Sequence, residues 1–312
     1  MLEIFLQTLP FFALIAIGYL AAATRFFGPE ATTYLTKFVF YFALSAMLLR
    51  FSSSLPITEI FDLQFGLAYL AGCVAVYLLF TVVALIRGTG WAIAAIEAQC
   101  AVIGNAGFLA LPMLVALLGD AAAAPVLFVL AIDLIVFGSL VVILITASRE
   151  GSVSLGSLRR IGVGLLKNPM VMSMTLGLIW SALEFPVPQP ADDFLRILGS
   201  AATPCALFAI GASLVGQTAE RPAIAVWLSF GTLVIQPAAV AFFALWVFDV
   251  DPFAAGIMIA TAAMPTAGNI YILAQHYGVA PARVSSTILM STVASVATLS
   301  VVLGWVISNG PT

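Results

Sequence analysis

Ten stretches of about 20 apolar residues follow one another through this 312-residue chain with little between them. They run roughly over 2–23, 31–50, 62–86, 92–118, 122–147, 168–184, 191–216, 222–248, 252–278 and 281–307, here TM1 to TM10. A helix of that length spans the hydrocarbon core of a bilayer. Inside lipid the backbone has to satisfy its own hydrogen bonds, so each stretch is expected as an α-helix. With 63% hydrophobic and 8% charged residues, the chain has too little charge to cover a soluble surface. Only residues 148–167 form a loop of any length, so no soluble domain is expected. TM1 opens Met1-Leu2-Glu3 without a basic region and with a long apolar run, unlike a cleavable signal peptide. Cys73, Cys100 and Cys205 fall inside spans without metal-ligand spacing and read as packing residues. Net charge is −3 and no basic patch is large enough to suggest nucleic acid.

Basic residues orient the bundle. With the N-terminus outside, the cytoplasmic loops hold Arg25, Arg87, Arg149, Arg159, Arg160, Lys167, Arg221 and Arg283, while Arg50 and Arg196 stay outside. That asymmetry predicts both termini outward in the plasma (inner) membrane. Glu184, Asp192, Asp193, Asp249 and Asp251 would then sit outside. The stretch Val153 to Lys167 mixes apolar and basic residues and reads as a helix lying on the cytoplasmic surface or as a plain connector.

The two halves resemble each other. Pro10 and Gly18 in TM1 match Pro169 and Gly177 in TM6, and Lys37 and Ser45 in TM2 match Arg196 and Pro204 in TM7, all 159 residues apart. Five spans per half make the second half enter the membrane the other way up, an inverted repeat suited to alternating access. The expected organisation is a first repeat over 1–150, a linker over 151–167 and a second repeat over 168–312.

TM4 and TM9 carry the informative interruptions. Gly104-Asn105-Ala106-Gly107 and Pro265-Thr266-Ala267-Gly268 align 161 residues apart, each about twelve residues into its span and so near mid-membrane. Pro265 lacks an N–H and Gly104 and Gly107 are weak helix formers, so both helices are expected to break there. Each break starts a new half-helix whose N-terminus carries partial positive charge and free N–H groups. Two such ends facing each other would bind an anion without any Lys or Arg. Asn105 and Thr266 are expected at cap positions, with Ala106, Gly107, Ala267 and Asn269 completing the substrate site. Small residues also serve close helix packing, and it is the paired placement that favours a functional crossing.

At these residues, Gly104 through Pro112 and Met264 through Ala267 followed by Leu273 to Val279, the sequence resembles the auxin efflux carrier family. Its bacterial members include carriers for malonate and other dicarboxylates. The resemblance covers essentially the whole chain. It implies a scaffold from TM1, TM2, TM6 and TM7, a transport domain from TM3–TM5 and TM8–TM10 that moves as an elevator, crossing of TM4 and TM9 at the substrate, and a homodimer. By motif position Asn105 matches the family's crossing asparagine and Pro265 its crossing proline. Gly104 stands where proline is frequent, and Ser45 stands at the TM2 position matching Pro204; both weaken any transfer of plant-hormone specificity.

Ionisable residues inside spans are costly and point to function or to paired structure. Asp133, within TM5, reads as a site for a coupling proton or as a carboxyl hydrogen-bonded to a neighbouring helix. Glu97, eight residues before Asn105, guards the inner vestibule or couples ion movement there, or is hydrated near the interface. Gln236 reads as a helix–helix hydrogen bond, and His276 as a solvated interfacial residue. Lys37 would snorkel or draw anions inward. The function expected is a secondary transporter for small organic anions, proton-coupled or driven by potential or substrate gradient. A sodium-coupled symporter resembling bile-acid carriers is the alternative within transport. A membrane sensor and an intramembrane enzyme are the alternatives of other classes. The enzyme is opposed by the single His and the lack of HExxH or Gly-x-Ser-x-Gly.

Overall fold

A computed structural model describes residues 2–54, 62–150, 159, 162–163, 166–216 and 222–309. The described chain is helical, and its one pairing of extended backbone is a single antiparallel bridge. The helices are α1 (Leu2–Ala23), α2 (Pro29–Ser54), α3 (Leu63–Ile86), α4 (Trp91–Val102), α5 (Ala106–Leu118), α6 (Asp120–Arg149), α7 (Pro169–Ala182), α8 (Gln189–Ser213), α9 (Pro222–Val247), α10 (Pro252–Ala262), α11 (Asn269–Tyr277) and α12 (Pro281–Asn309). Six of them, α2, α3, α6, α8, α9 and α12, are long and apolar enough to cross a membrane. The described apolar part of α1 and helices α4, α5, α7 and α10 run for 10–17 residues. Two expected spans are therefore each divided in two: residues 92–118 into α4 and α5, and residues 252–278 into α10 and α11. The linker helix expected within 151–167 lies mostly outside the described residues.

Side chains and prolines set the ends. Asp62 caps α3 by accepting the Gln64 and Phe65 N–H groups at 2.8 and 3.2 Å. Asn168 and Asp251 do the same before α7 and α10, each followed by a proline that has no N–H to leave unsatisfied. Pro112 and Pro237 also explain two π-turns. Leu111 and Gln236, just before them, reach back five residues to the carbonyls of Ala106 and Gly231, widening the helix ahead of the missing donor.

Glycines bring the helices together. A Cβ on Gly18 of α1 would fall on the Phe208 carbonyl of α8, and one on Gly211 of α8 on the Ile15 carbonyl of α1. A Cβ on Gly177 of α7 would lie 2.6 Å from the Ser52 side chain and 2.9 Å from the Leu49 carbonyl of α2. Gly18 and Gly177 are 159 residues apart, and so are their partners Leu49 and Phe208. A second glycine pair keeps the spacing, Gly72 and Gly231: Gly72 of α3 packs on the Val240 backbone of α9, and Gly231 of α9 on the Phe80 ring of α3. At Gly18 and Gly177 the offset seen in the sequence is carried by contacts that include a backbone carbonyl.

Candidate functional site

The two interruptions meet. Gly104 and Thr266 form the antiparallel bridge, with the Asn105 N–H on the Pro265 carbonyl at 2.8 Å and the Ala267 N–H on the Ile103 carbonyl at 3.1 Å. Gly104 is needed for this approach: a Cβ there would lie 3.1 Å from the Met264 carbonyl oxygen and 3.2 Å from that of Thr261. The pairing is symmetrical about Gly104 and Thr266, so the hydrogen bonds match the two breaks at an offset of 162 residues, one more than the 161 read from residue types. Alignment by Gly and Ala identities follows composition, whereas the bridge follows which N–H groups face the partner.

Asn105 does cap the new half-helix. At φ −79° and ψ 62° it makes an inverse γ-turn, closed by the Ala106 N–H on the Gly104 carbonyl at 2.8 Å. Its Oδ1 accepts the Phe108 N–H at 3.2 Å. That bond fixes the amide, so Nδ2 is turned away from the helix with two donors and no acceptor among the described residues. The residue is 7% exposed. Ala106 and Gly107 are buried, and the space beside Gly107 is filled by the Met170 side chain of α7, 2.6 Å from where a Cβ would stand.

Thr266 is not a helix cap, which corrects the expectation from sequence. Residues opposite α4 are held extended by the bridge, so the helix resumes only at Asn269, with Gly268 as its cap. The Thr266 hydroxyl donates instead to the Cys100 carbonyl near the end of α4 at 3.0 Å, and the Thr266 N–H to Ser291 Oγ at 3.1 Å. Its single O–H is therefore occupied, and Ala267 is likewise engaged with Ile103. Pro265 contributes a carbonyl to Asn105. Gly268 and Asn269 are exposed, and their N–H groups find no acceptor among the described residues. The donors left for a ligand thus include Asn105 Nδ2, the start of α11 and the Asn269 side chain.

The two carboxylates sit elsewhere. Asp133, at 4% exposure, begins a π-turn in α6 and accepts the Tyr69 hydroxyl of α3 at 2.8 Å. One turn on from Tyr69, Cys73 accepts Gln236 Nε2 of α9 at 3.0 Å, the interhelical bond expected of Gln236. No Lys, Arg or His is among the buried described residues, so Asp133 has no basic partner inside the bundle. Glu97 is 1% exposed and bracketed by Arg87 and Arg283. This corrects the reading of a hydrated interfacial carboxylate: the loop after α3 and the first turn of α12 both bring a guanidinium to it. Arg149 donates to the Tyr277 carbonyl at the end of α11, where a cation suits the helix dipole. His276 and Lys37 are exposed, Lys37 standing over the Tyr34 ring. A recess of about 560 Å³ opens at the far end of α2, lined by Arg50, Ser53, Ser54, Phe185, Gln189 and Asp192 among others, and includes no residue of the bridge.

Sequence reasoning missed Ser291, Thr232 and Cys100. Thr232 Oγ1 reaches the Met264 carbonyl at 3.3 Å. The one available signal was the run of hydroxyls in TM10, where Ser285, Ser286, Thr287, Ser291, Thr292 and Ser295 are all buried. The model of a family described as membrane transport protein matches residues 3–303. A protein of Rhizobium meliloti (strain 1021) named "Putative malonate transporter" is 31% identical over 308 residues, covering 96% of this chain and 95% of its own.

Proposed function

The chain belongs to the membrane transport protein family, that of the auxin efflux carriers, and is a multi-pass membrane transporter; from that premise we propose that it carries small organic anions, mono- or dicarboxylates of malonate size, by alternating access. The observation that carries the reading is the meeting of the two helix interruptions, with Asn105 Nδ2 and the α11 N-terminus left as donors where no buried cation lies. A carboxylate is an acceptor on both oxygens and suits that set. Dipoles in place of a fixed cation bind an anion without the cost of a buried, permanently charged partner, which leaves it free to depart. The relative named for malonate supports the size class.

In this reading α4 with α5 and α10 with α11 are divided spans, giving ten crossings as two inverted repeats. Helices α1, α2, α7 and α8 form the scaffold of a homodimer, and the rest moves against it as an elevator. The glycine contacts that repeat at 159 residues support the inverted arrangement. Asp133 is the coupling site: a carboxyl without a basic partner is most stable there when it holds a proton or another cation. The sodium alternative rests on the same carboxyl.

The test is uptake of labelled mono- and dicarboxylates into proteoliposomes with proton and sodium gradients imposed separately. Uptake of short carboxylates driven by an inward proton gradient is expected, and the Asp133→Asn protein should lose its dependence on pH. Sodium-driven uptake would reassign the coupling ion, and no uptake of any carboxylate would overturn the substrate class.

A further inference from the structure

We propose that Ser291 on α12 is the positioning residue of the anion site, an inference that rests on reading the helix crossing as that site. In an antiparallel bridge successive residues point their N–H and C=O groups to opposite sides. Pro265 and Ala267 use theirs toward the break in the other helix, through the Asn105 N–H and the Ile103 carbonyl. The Thr266 N–H therefore points away from that break, into the bundle, where water and lipid offer it nothing. Ser291 Oγ accepts it at 3.1 Å. The Ser291 hydroxyl proton is directed back to the Ile288 carbonyl of its own helix at 3.2 Å, which leaves the oxygen lone pairs for Thr266. Ser291 is fully buried, so no solvent replaces it.

Thr266 and the chain just before it are tied to three helices. Thr266 binds α12 by its N–H and the end of α4 by its hydroxyl on Cys100, while Thr232 of α9 holds the Met264 carbonyl two residues earlier. With both ends of Thr266 tied, the residue stays extended opposite Gly104, and the start of α11 three residues later is fixed relative to Asn105. Ser291 touches no ligand donor; it sets the distance between the Asn105 amide and the α11 N-terminus, and hence affinity for the anion rather than the rate of the carrier's movement.

Ser295 supplies the control. It is one turn further along α12, is also fully buried, and its hydroxyl bonds the Thr292 carbonyl within its own helix at 2.7 Å. Ser291→Ala and Ser295→Ala each delete one buried hydroxyl from the same helix. In proteoliposomes with labelled malonate, Ser291→Ala is expected to raise KM about tenfold with kcat little changed, the size expected for one lost buried hydrogen bond. Ser295→Ala should leave KM within about twofold of the wild type, as an intrahelical hydroxyl is worth little. A wild-type KM in Ser291→Ala, or an equal rise in both variants, would overturn the proposal. If Ser291→Ala fails to reach the membrane, Ser291→Cys, close in size with a weaker acceptor, gives the reading: a raised KM is expected and a wild-type KM overturns. Normal uptake by an Asn105 variant would instead sink the site itself, whereas an inactive Asn105 variant beside a normal Ser291→Ala would sink only the role of Ser291.

Discussion

The carboxamide of Asn105 does two jobs with two ends. Its oxygen caps the half-helix by taking the Phe108 N–H, and its nitrogen is left with donors. Substitutions can separate them. An aspartate in its place would keep the capping oxygen, since aspartate and asparagine cap about equally well, but it would replace two donors by a second acceptor and a negative charge. Asn105→Asp is therefore expected to reach the membrane at wild-type levels while uptake falls about 10- to 100-fold, the range of a lost hydrogen bond to a charged group. Asn105→Ala should lose uptake too, and in addition about 1 kcal/mol of stability from the lost cap. Normal flux in Asn105→Asp, read beside its thermal melt, would remove Asn105 from the site. Asn105 was legible in the sequence because a lone polar residue between glycines in an apolar span has few structural explanations. Thr266 was legible as important but not in its role. Its partners, Cys100 and Ser291, are a backbone carbonyl and one of many hydroxyls in a long apolar helix, and neither leaves a periodic mark.

At Gly18, Gly177 and Gly211 the helices approach closely enough to touch the partner's backbone. Without a hydrophobic drive between helices in lipid, close approach at small residues supplies the packing energy. That makes the glycine contacts the structural test of the repeat. At Gly211 an added Cβ would fall on the Ile15 carbonyl, an atom that cannot rotate aside. Gly211→Ala is therefore expected to cost about 3 kcal/mol, at the upper end for overpacking, and to lower the melting temperature of the detergent-solubilised protein. Gly28→Ala, at a position with nothing within 4 Å and an ordinary φ of −74°, should melt with the wild type. Equal melting of both variants would show that α1 and α8 do not approach as described. The element scale is also where sequence and structure differ most usefully. Gly18 and Gly177 stood out at a shared offset, but their partners Phe208 and Leu49 contribute carbonyls, to which side-chain identity is irrelevant. The breaks were visible as Gly and Pro inside apolar runs. The register between them was off by one because hydrogen-bond direction, unlike composition, is not written in residue types.

For the molecule as a whole, charge decides which way the bundle sits. The sequence assigns Arg87, Arg149 and Arg283 to one side of the membrane and Arg50, Arg196, Asp192 and Asp193 to the other. The folded chain groups them accordingly: Arg87 and Arg283 share Glu97, Arg50 pairs with Asp192 at 2.8 Å, and Arg196 with Asp193 at 2.7 Å. No ion pair among the described residues joins the two sets. Because Lys and Arg are retained on the cytoplasmic side, the Glu97 end should face inward and the Asp192 end outward. Two single-cysteine probes test this. Phe26, 89% exposed in the turn after α1, belongs to the inner end, and Gln189, exposed at the start of α8, to the outer. Background labelling is low because Cys73 and Cys100 are buried; Cys205, only partly buried, is replaced by serine in both proteins. A membrane-impermeant maleimide added to intact cells is expected to label Gln189→Cys at once and Phe26→Cys only after the membrane is opened. The reverse pattern would invert the bundle. Labelling of both in sealed cells would mean that the two ends lie on one side, which would overturn the proposed ten crossings in two opposed halves.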